Sequence, residues 1–307
     1  MTKTISKIAL LLGGVSALAI AHSASALEMY SPYQPGVSTG VPAGALPPPG
    51  VYLDIDTFLN AGPIVDGSGN KTGAKLQMAN VTPLVLWVPG WKVLGANYAA
   101  NIIQPFSQTT IITPGPRTSD NGFFNTIITP EILSWNLGGG AFASEGLGIY
   151  LPDGDYRGNS AGEALTSYAN NFVTFEPNVA FSYLGGGWNL TLNNVFDFNT
   201  ENTQDHYQSG AVYYLDYTIA HDVGPFTLGL IGNYSQQFTN DTRNGVVIPA
   251  AAGNNGTGNK WAHASVGPLV AWHLGKATVT ARLLYGFWGE NGGNPTFFHL
   301  GVSFPVI

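Results

Sequence analysis

Residues Trp188-Asn-Leu-Thr-Leu-Asn193 put Trp188, Leu190 and Leu192 on one face and Asn189, Thr191 and Asn193 on the other. Side chains of an extended strand point to opposite faces in turn, so this stretch is a strand with one apolar and one polar side. The same pattern spreads outward from it. Val173, Phe175, Val179, Phe181 and Tyr183 oppose Thr174, Glu176, Asn178 and Ser182. Val279, Ala281, Leu283, Tyr285 and Phe287 oppose Thr278, Thr280 and Arg282; Phe298, Leu300, Val302 and Phe304 oppose His299, Gly301 and Ser303.

Twelve such stretches are predicted, near 51–60, 76–88, 91–103, 122–136, 141–151, 171–184, 187–199, 210–221, 225–239, 260–273, 276–289 and 296–306. Their connections alternate in length. Tight turns at Pro89-Gly90, Gly138-Gly139, Gly185-Gly186, Asp222-Val-Gly224 and Leu274-Gly275 interleave with longer polar loops near 61–75, 104–121, 152–170, 200–209 and 240–259. That alternation is expected when every second connection faces the periplasm. The strands are roughly twice the five or six residues usual in a soluble sandwich, and when tilted they match the apolar thickness of a bilayer. Lipid cannot satisfy an open sheet edge, so the ring must close. Trp87, Trp91, Trp135, Tyr150, Tyr183, Trp188, Trp272 and Trp288 near strand ends resemble interfacial girdles. The predicted fold class is all-β: a transmembrane antiparallel up-and-down β-barrel of about twelve strands.

Composition agrees. Only 9% of the 307 residues are charged while 44% are hydrophobic, against roughly 25% charged in ordinary soluble domains. The net charge of -7 leaves no basic stripe for nucleic acid. With no cysteine, disulfide frameworks and thiolate metal sites are excluded. Lys3 and Lys7, the apolar run Ile8 to Ile20 and Ala24-Ser25-Ala26 form a signal peptide over residues 1–26, with cleavage expected after Ala26. Residues 27–50 are a Pro/Gly-rich segment, a periplasmic tail or a strand of chain folded back into the lumen. The barrel is expected over 51–307.

Four segments resemble the phenol meta-pathway degradation proteins: Val41-Pro-Ala-Gly-Ala-Leu-Pro-Pro-Pro-Gly-Val-Tyr52, Gly146-Leu-Gly-Ile-Tyr-Leu-Pro-Asp-Gly-Asp-Tyr156, Thr174-Phe-Glu-Pro-Asn178, and Asp197-Phe-Asn-Thr-Glu-Asn202 with Tyr207-Gln-Ser-Gly210. The resemblance covers nearly all of the mature chain in order. It implies an outer-membrane barrel that admits hydrophobic compounds; with no nucleotide site apparent, passive uptake of small hydrophobic, aromatic compounds down a gradient is the expected function. The chain departs from many such barrels in ending Phe304-Pro-Val-Ile307 rather than in Phe.

Alternation points Glu176, Asp197, Asp216, Arg282 and His263 into the lumen, with Glu131 on a poorly alternating strand. Phe172, Val195, Trp261, Leu284 and Trp288 are candidates for inward apolar contacts. The charges either pair with each other and with Asn and Thr to hold a wet interior, as in small barrels, or line a pathway. A one-residue slip would reverse each assignment. Asp153 and Asp155 lack the further ligands of a calcium loop and read as turn formers. No metal, cofactor or catalytic residue is predicted: there is no Gly-x-Ser-x-Gly elbow, and His299 and Ser303 lie too far apart along one strand to bond. The predicted partners are outer-membrane lipid and a small hydrophobic or aromatic solute, with no nucleic acid. Two rival functions remain: an adhesive or structural barrel with an occluded lumen, and a lipid hydrolase.

Overall fold

Twelve antiparallel strands close on themselves in the computed structural model, which describes residues 31–115, 117–157, 169–248 and 260–306. The expected signal peptide lies outside the described residues. The barrel strands are β1 Gly50–Val65, β2 Lys71–Val88, β3 Ala96–Ile103, β4 Ile127–Gly138, β5 Ala141–Tyr150 and β6 Thr174–Gly185. They continue as β7 Trp188–Asn199, β8 Val212–Val223, β9 Phe226–Gln237, β10 Ala262–Leu274, β11 Ala277–Glu290 and β12 Thr296–Pro305. Each pairs with its sequence neighbours. β1 closes the ring by pairing β2 from Gly50↔Val88 and β12 from Tyr52↔Pro305 to Ala61↔Thr296.

The alternation read from the sequence is the in–out code of this wall. Leu190, Leu192, Phe181, Leu228, Val270, Leu283 and Phe298 are exposed on the outer face, whereas Thr191, Asn193, Ser182, Thr218 and Ser265 are buried in the interior. Pairing satisfies each strand's backbone from its two neighbours, which hydrocarbon requires.

Four stretches differ from the predicted strands and loops. Residues 104–121, read as a loop, hold most of a β-hairpin, Phe106–Ile112 with Arg117–Phe123, whose first arm pairs with β2 from Lys75↔Ile112 to Val81↔Phe106. β4 therefore starts at Ile127 rather than 122. β1 and β2 run past their predicted ends and leave only 66–70 as the connection, where Asp66 Oδ1 accepts the Ser68 and Asn70 amides, both at 2.9 Å. After Pro89-Gly90 a small hairpin pairs Lys92–Val93 with the start of β3. At the loop end, Tyr207–Gln208, Thr242–Arg243 and Val246–Val247 form a small separate sheet. Asp153 Oδ1 and Asp155 Oδ2 accept the amides of Thr126 (2.8 Å) and Phe123 (3.0 Å), so they clamp the neighbouring segment rather than a turn of their own.

Candidate functional site: a lumen threaded by the N-terminal segment

Residues 31–49 run inside the barrel, from Ser31 at the loop end to the start of β1 at the turn end. Proline-rich chain has few backbone donors to pair with a sheet, and its remaining polar groups are taken up by lumen side chains. Asp197 on β7 accepts a hydrogen bond from Ser31 Oγ and another from the Tyr33 amide at 3.3 Å. Asp216 on β8 accepts Tyr33 Oη (2.7 Å), the Gly36 and Ser38 amides (both 3.0 Å) and Ser38 Oγ (2.9 Å). Across the lumen, Arg282 on β11 donates to the carbonyls of Val37 (2.8 Å) and Thr39 (2.9 Å) and pairs with Asp56 on β1. Neutral groups continue the series toward the turn end: Thr218 Oγ1 accepts the Gly40 amide at 2.7 Å, Ser182 Oγ the Gly44 amide at 2.9 Å, and Ser134 and Ser144 donate to Gly44 and Ala43 carbonyls at 2.8 Å.

Two glycines permit this fit. Gly36 and Gly40 have φ of 81° and 84°, a region closed to most L residues, and a Cβ on either would run into Leu284 or Leu269. Tyr33 and Val37 pack on Val195, Val212, Tyr214 and Trp261, so an apolar cluster anchors the loop-end half of the segment.

Most of the predicted lumen residues therefore meet at this segment. Asp197, Asp216 and Arg282 grip it; Val195 and Trp261 pack on it, and Trp261 Nε1 also donates to the Gly293 carbonyl at 3.2 Å. Leu284 presses on Gly36 within a cluster that includes Leu269 and Phe297. Glu176 accepts Tyr150 Oη at 2.7 Å. His263 is buried with its ring edge against Phe297, 5.4 Å between centroids. Phe172 is buried just before β6.

Two candidates face the other way. Trp288 lies on the outer face, stacked on exposed Tyr234 with an interplanar angle of 3°. The cause is a bulge: Ala264 pairs Trp288 but Ser265 pairs Gly286, so Phe287 is an extra residue that reverses the phase beyond it. Glu131 is likewise exposed, because β4 loses register between Ile128 and Ile132 around Pro130. His299 is buried, on the inward face where the alternation of the last strand puts it; the sequence reading missed Asp56 and Asn60, although the alternation of Leu53 and Ile55 with Asp54 and Asp56 marks the inward face of β1. At the loop end, burial pushes the Asp241 carboxyl up, against hydrogen bonds from Tyr207 Oη, the Gly210 amide and Gln237 that lower it.

The segment does not fill the barrel. Beside it remains a cavity of about 1160 Å³ that reaches from Gly186 and Lys276 at the turn end to Asn170 and Gly293 at the loop end. Phe58, Leu76, Met78, Leu84, Leu86 and Ile103 give it an apolar wall on β1, β2 and β3.

The family model described as "Putative MetA-pathway of phenol degradation" matches residues 61–302. The chain belongs to this family. Its fold is similar to that of an outer membrane channel from Pseudomonas putida F1, at 14% identity with a TM-score of 0.73, covering 89% of this chain and 99% of that one. Looser matches are the CymD monoaromatic hydrocarbon channel (8% identity, TM-score 0.43, 87% and 91% covered) and the β domain of the Bordetella autotransporter BrkA (15%, 0.47, 83% and 99%). No curated protein sequence matches the chain. Family membership agrees with the resemblance read in the four sequence segments, and the shared barrel fold agrees with the predicted fold class.

Proposed function

We propose that this chain is exported behind the predicted signal peptide, cleaved after Ala26, and sits in the bacterial outer membrane as a channel for small apolar solutes, aromatic ones among them. The observation that carries the reading is the apolar cavity running beside the N-terminal segment. Its volume lies near the roughly 300–1,000 Å³ typical of small-molecule sites, which is ample for a single ring. A hydrated ion loses its water shell at such a wall and gains nothing in return, whereas an apolar solute gains about 25 cal/mol per Å² of surface removed from water. No energy source is required, so flux follows the gradient. Membership of a family named for phenol degradation supports an aromatic solute.

The polar grip on residues 31–44 favours one rival, a closed barrel whose loops bind outside. Uptake of radiolabelled toluene separates the two in cells whose lipopolysaccharide leaflet slows apolar solutes. Cells expressing the protein are expected to take up toluene several-fold faster than vector controls. Equal rates would overturn the channel reading and leave the closed barrel.

A further inference from the structure

Polar side chains interrupt the apolar part of the cavity wall, Asn60 and Asn80 among them. Asn60 on β1 is 4% exposed, lines the cavity, and neither its Nδ2 nor its Oδ1 meets a protein partner. Register places it between Met78 on β2 and Phe297 on β12, with Phe58 two residues before it on the same face. Directly opposed residues of an antiparallel pair have Cβ atoms about 4.5–5.5 Å apart, so the amide has a thioether and two aromatic rings as its immediate surroundings. Asn80, opposite Phe58, gives its Nδ2 to Gln34 Oε1 of the N-terminal segment at 3.2 Å and leaves its own Oδ1 unpartnered.

Buried amides are hydrogen-bonded in nearly all native proteins, because taking such a group out of water without replacement is costly. Asn80, Asn101 and Asn193 also line the cavity with an unpartnered Oδ1, whereas His299, with both ring nitrogens unpartnered, is buried between Phe58 and Phe297 and does not line the cavity. Asn60 does, and it offers both a donor and an acceptor. Beside it, Phe58 and Phe297 suit a flat ring edge to face, and Met78 adapts its shape to what it touches.

We propose that Asn60, backed by Phe58, Met78 and Phe297, forms a subsite that selects flat apolar solutes bearing one hydrogen-bonding substituent. This rests on the channel reading and narrows its solute class. A site built around a hydrogen bond discriminates against the analogue lacking it far better than an apolar pocket discriminates a missing methylene. The ring lies on the apolar wall, and the substituent, a hydroxyl for example, donates to Asn60 Oδ1 or accepts from Nδ2.

The test is equilibrium binding of benzyl alcohol and of toluene to the purified full-length barrel, read by calorimetry, for the parent and for Asn60→Leu. Leucine keeps the branching at Cγ and removes the amide. The affinity for benzyl alcohol is expected to fall about tenfold, while that for toluene holds within about twofold. Should the variant not assemble, the parent decides: the Asn60 side-chain amide resonance shifts on adding benzyl alcohol and not on adding toluene. An unchanged affinity ratio, or an amide resonance that ignores both solutes, overturns the subsite while toluene binding leaves the channel reading standing. Binding of neither solute overturns both.

Discussion

Asp216 accepts five hydrogen bonds, four of them from the N-terminal segment and one from Asn233 at 2.7 Å. Hydrogen bonds to a charged group contribute about 1.5–3 kcal/mol each, though those sharing one carboxylate do not add independently. Asp216→Ala is therefore expected to weaken docking of the segment by roughly 3 kcal/mol or more, with the outer wall intact. Limited proteolysis in detergent checks this: cleavage within 31–44 should speed up at least tenfold relative to the parent, while the barrel still migrates as a heat-modifiable species. Cleavage at the parent rate would mean that Asp216 is not what holds the segment. The same residue shows what the sequence discloses. Asp197, Asp216 and Arg282 are legible as inward-facing because each lies on a strand of clean alternation. Their partners are not, because Ser31 to Ala45 has no period, and nothing local distinguishes chain that threads a lumen from chain that hangs outside it.

At the scale of the element, strands were legible wherever the period of two was unbroken, and misread where a bulge changed its phase. Trp288 and Glu131 sit beyond such breaks, at Phe287 and around Pro130. The hairpin at 106–123 was hidden differently: Thr109, Thr110, Ile111 and Ile112 favour a strand as β-branched residues but give no apolar alternation. The segment itself is an element shaped by its glycines. Gly36→Ala with Gly40→Ala places side chains at positive φ and into Leu284 and Leu269. Strain of about 1–3 kcal/mol per residue is expected to shift the segment away from β11 and free the Arg282 contacts. A spin label at residue 38 measured against one on β11 should show a broadened or lengthened distance distribution. An unchanged narrow distribution would mean that the lumen has room for both methyl groups.

The whole molecule is a closed wall of twelve strands holding its own N-terminal segment, with an apolar cavity left between them. The wall follows from sequence alone: sparse charge, strands about twice the ordinary length and connections that alternate in length have few other solutions. The division of the lumen follows from contacts between residues far apart in the sequence, such as Gly44 with Ser182 and Tyr33 with Asp216, which no local pattern encodes. If those contacts close the barrel to water and ions while sparing an apolar route, removing the segment must convert it into a water-filled pore. Single-channel recording of the parent and of a chain lacking residues 31–48 tests this directly. The account predicts little current through the parent and a conductance at least about tenfold larger without the segment, in line with the open lumen of unplugged barrels. Equal conductance in the two proteins would contradict it.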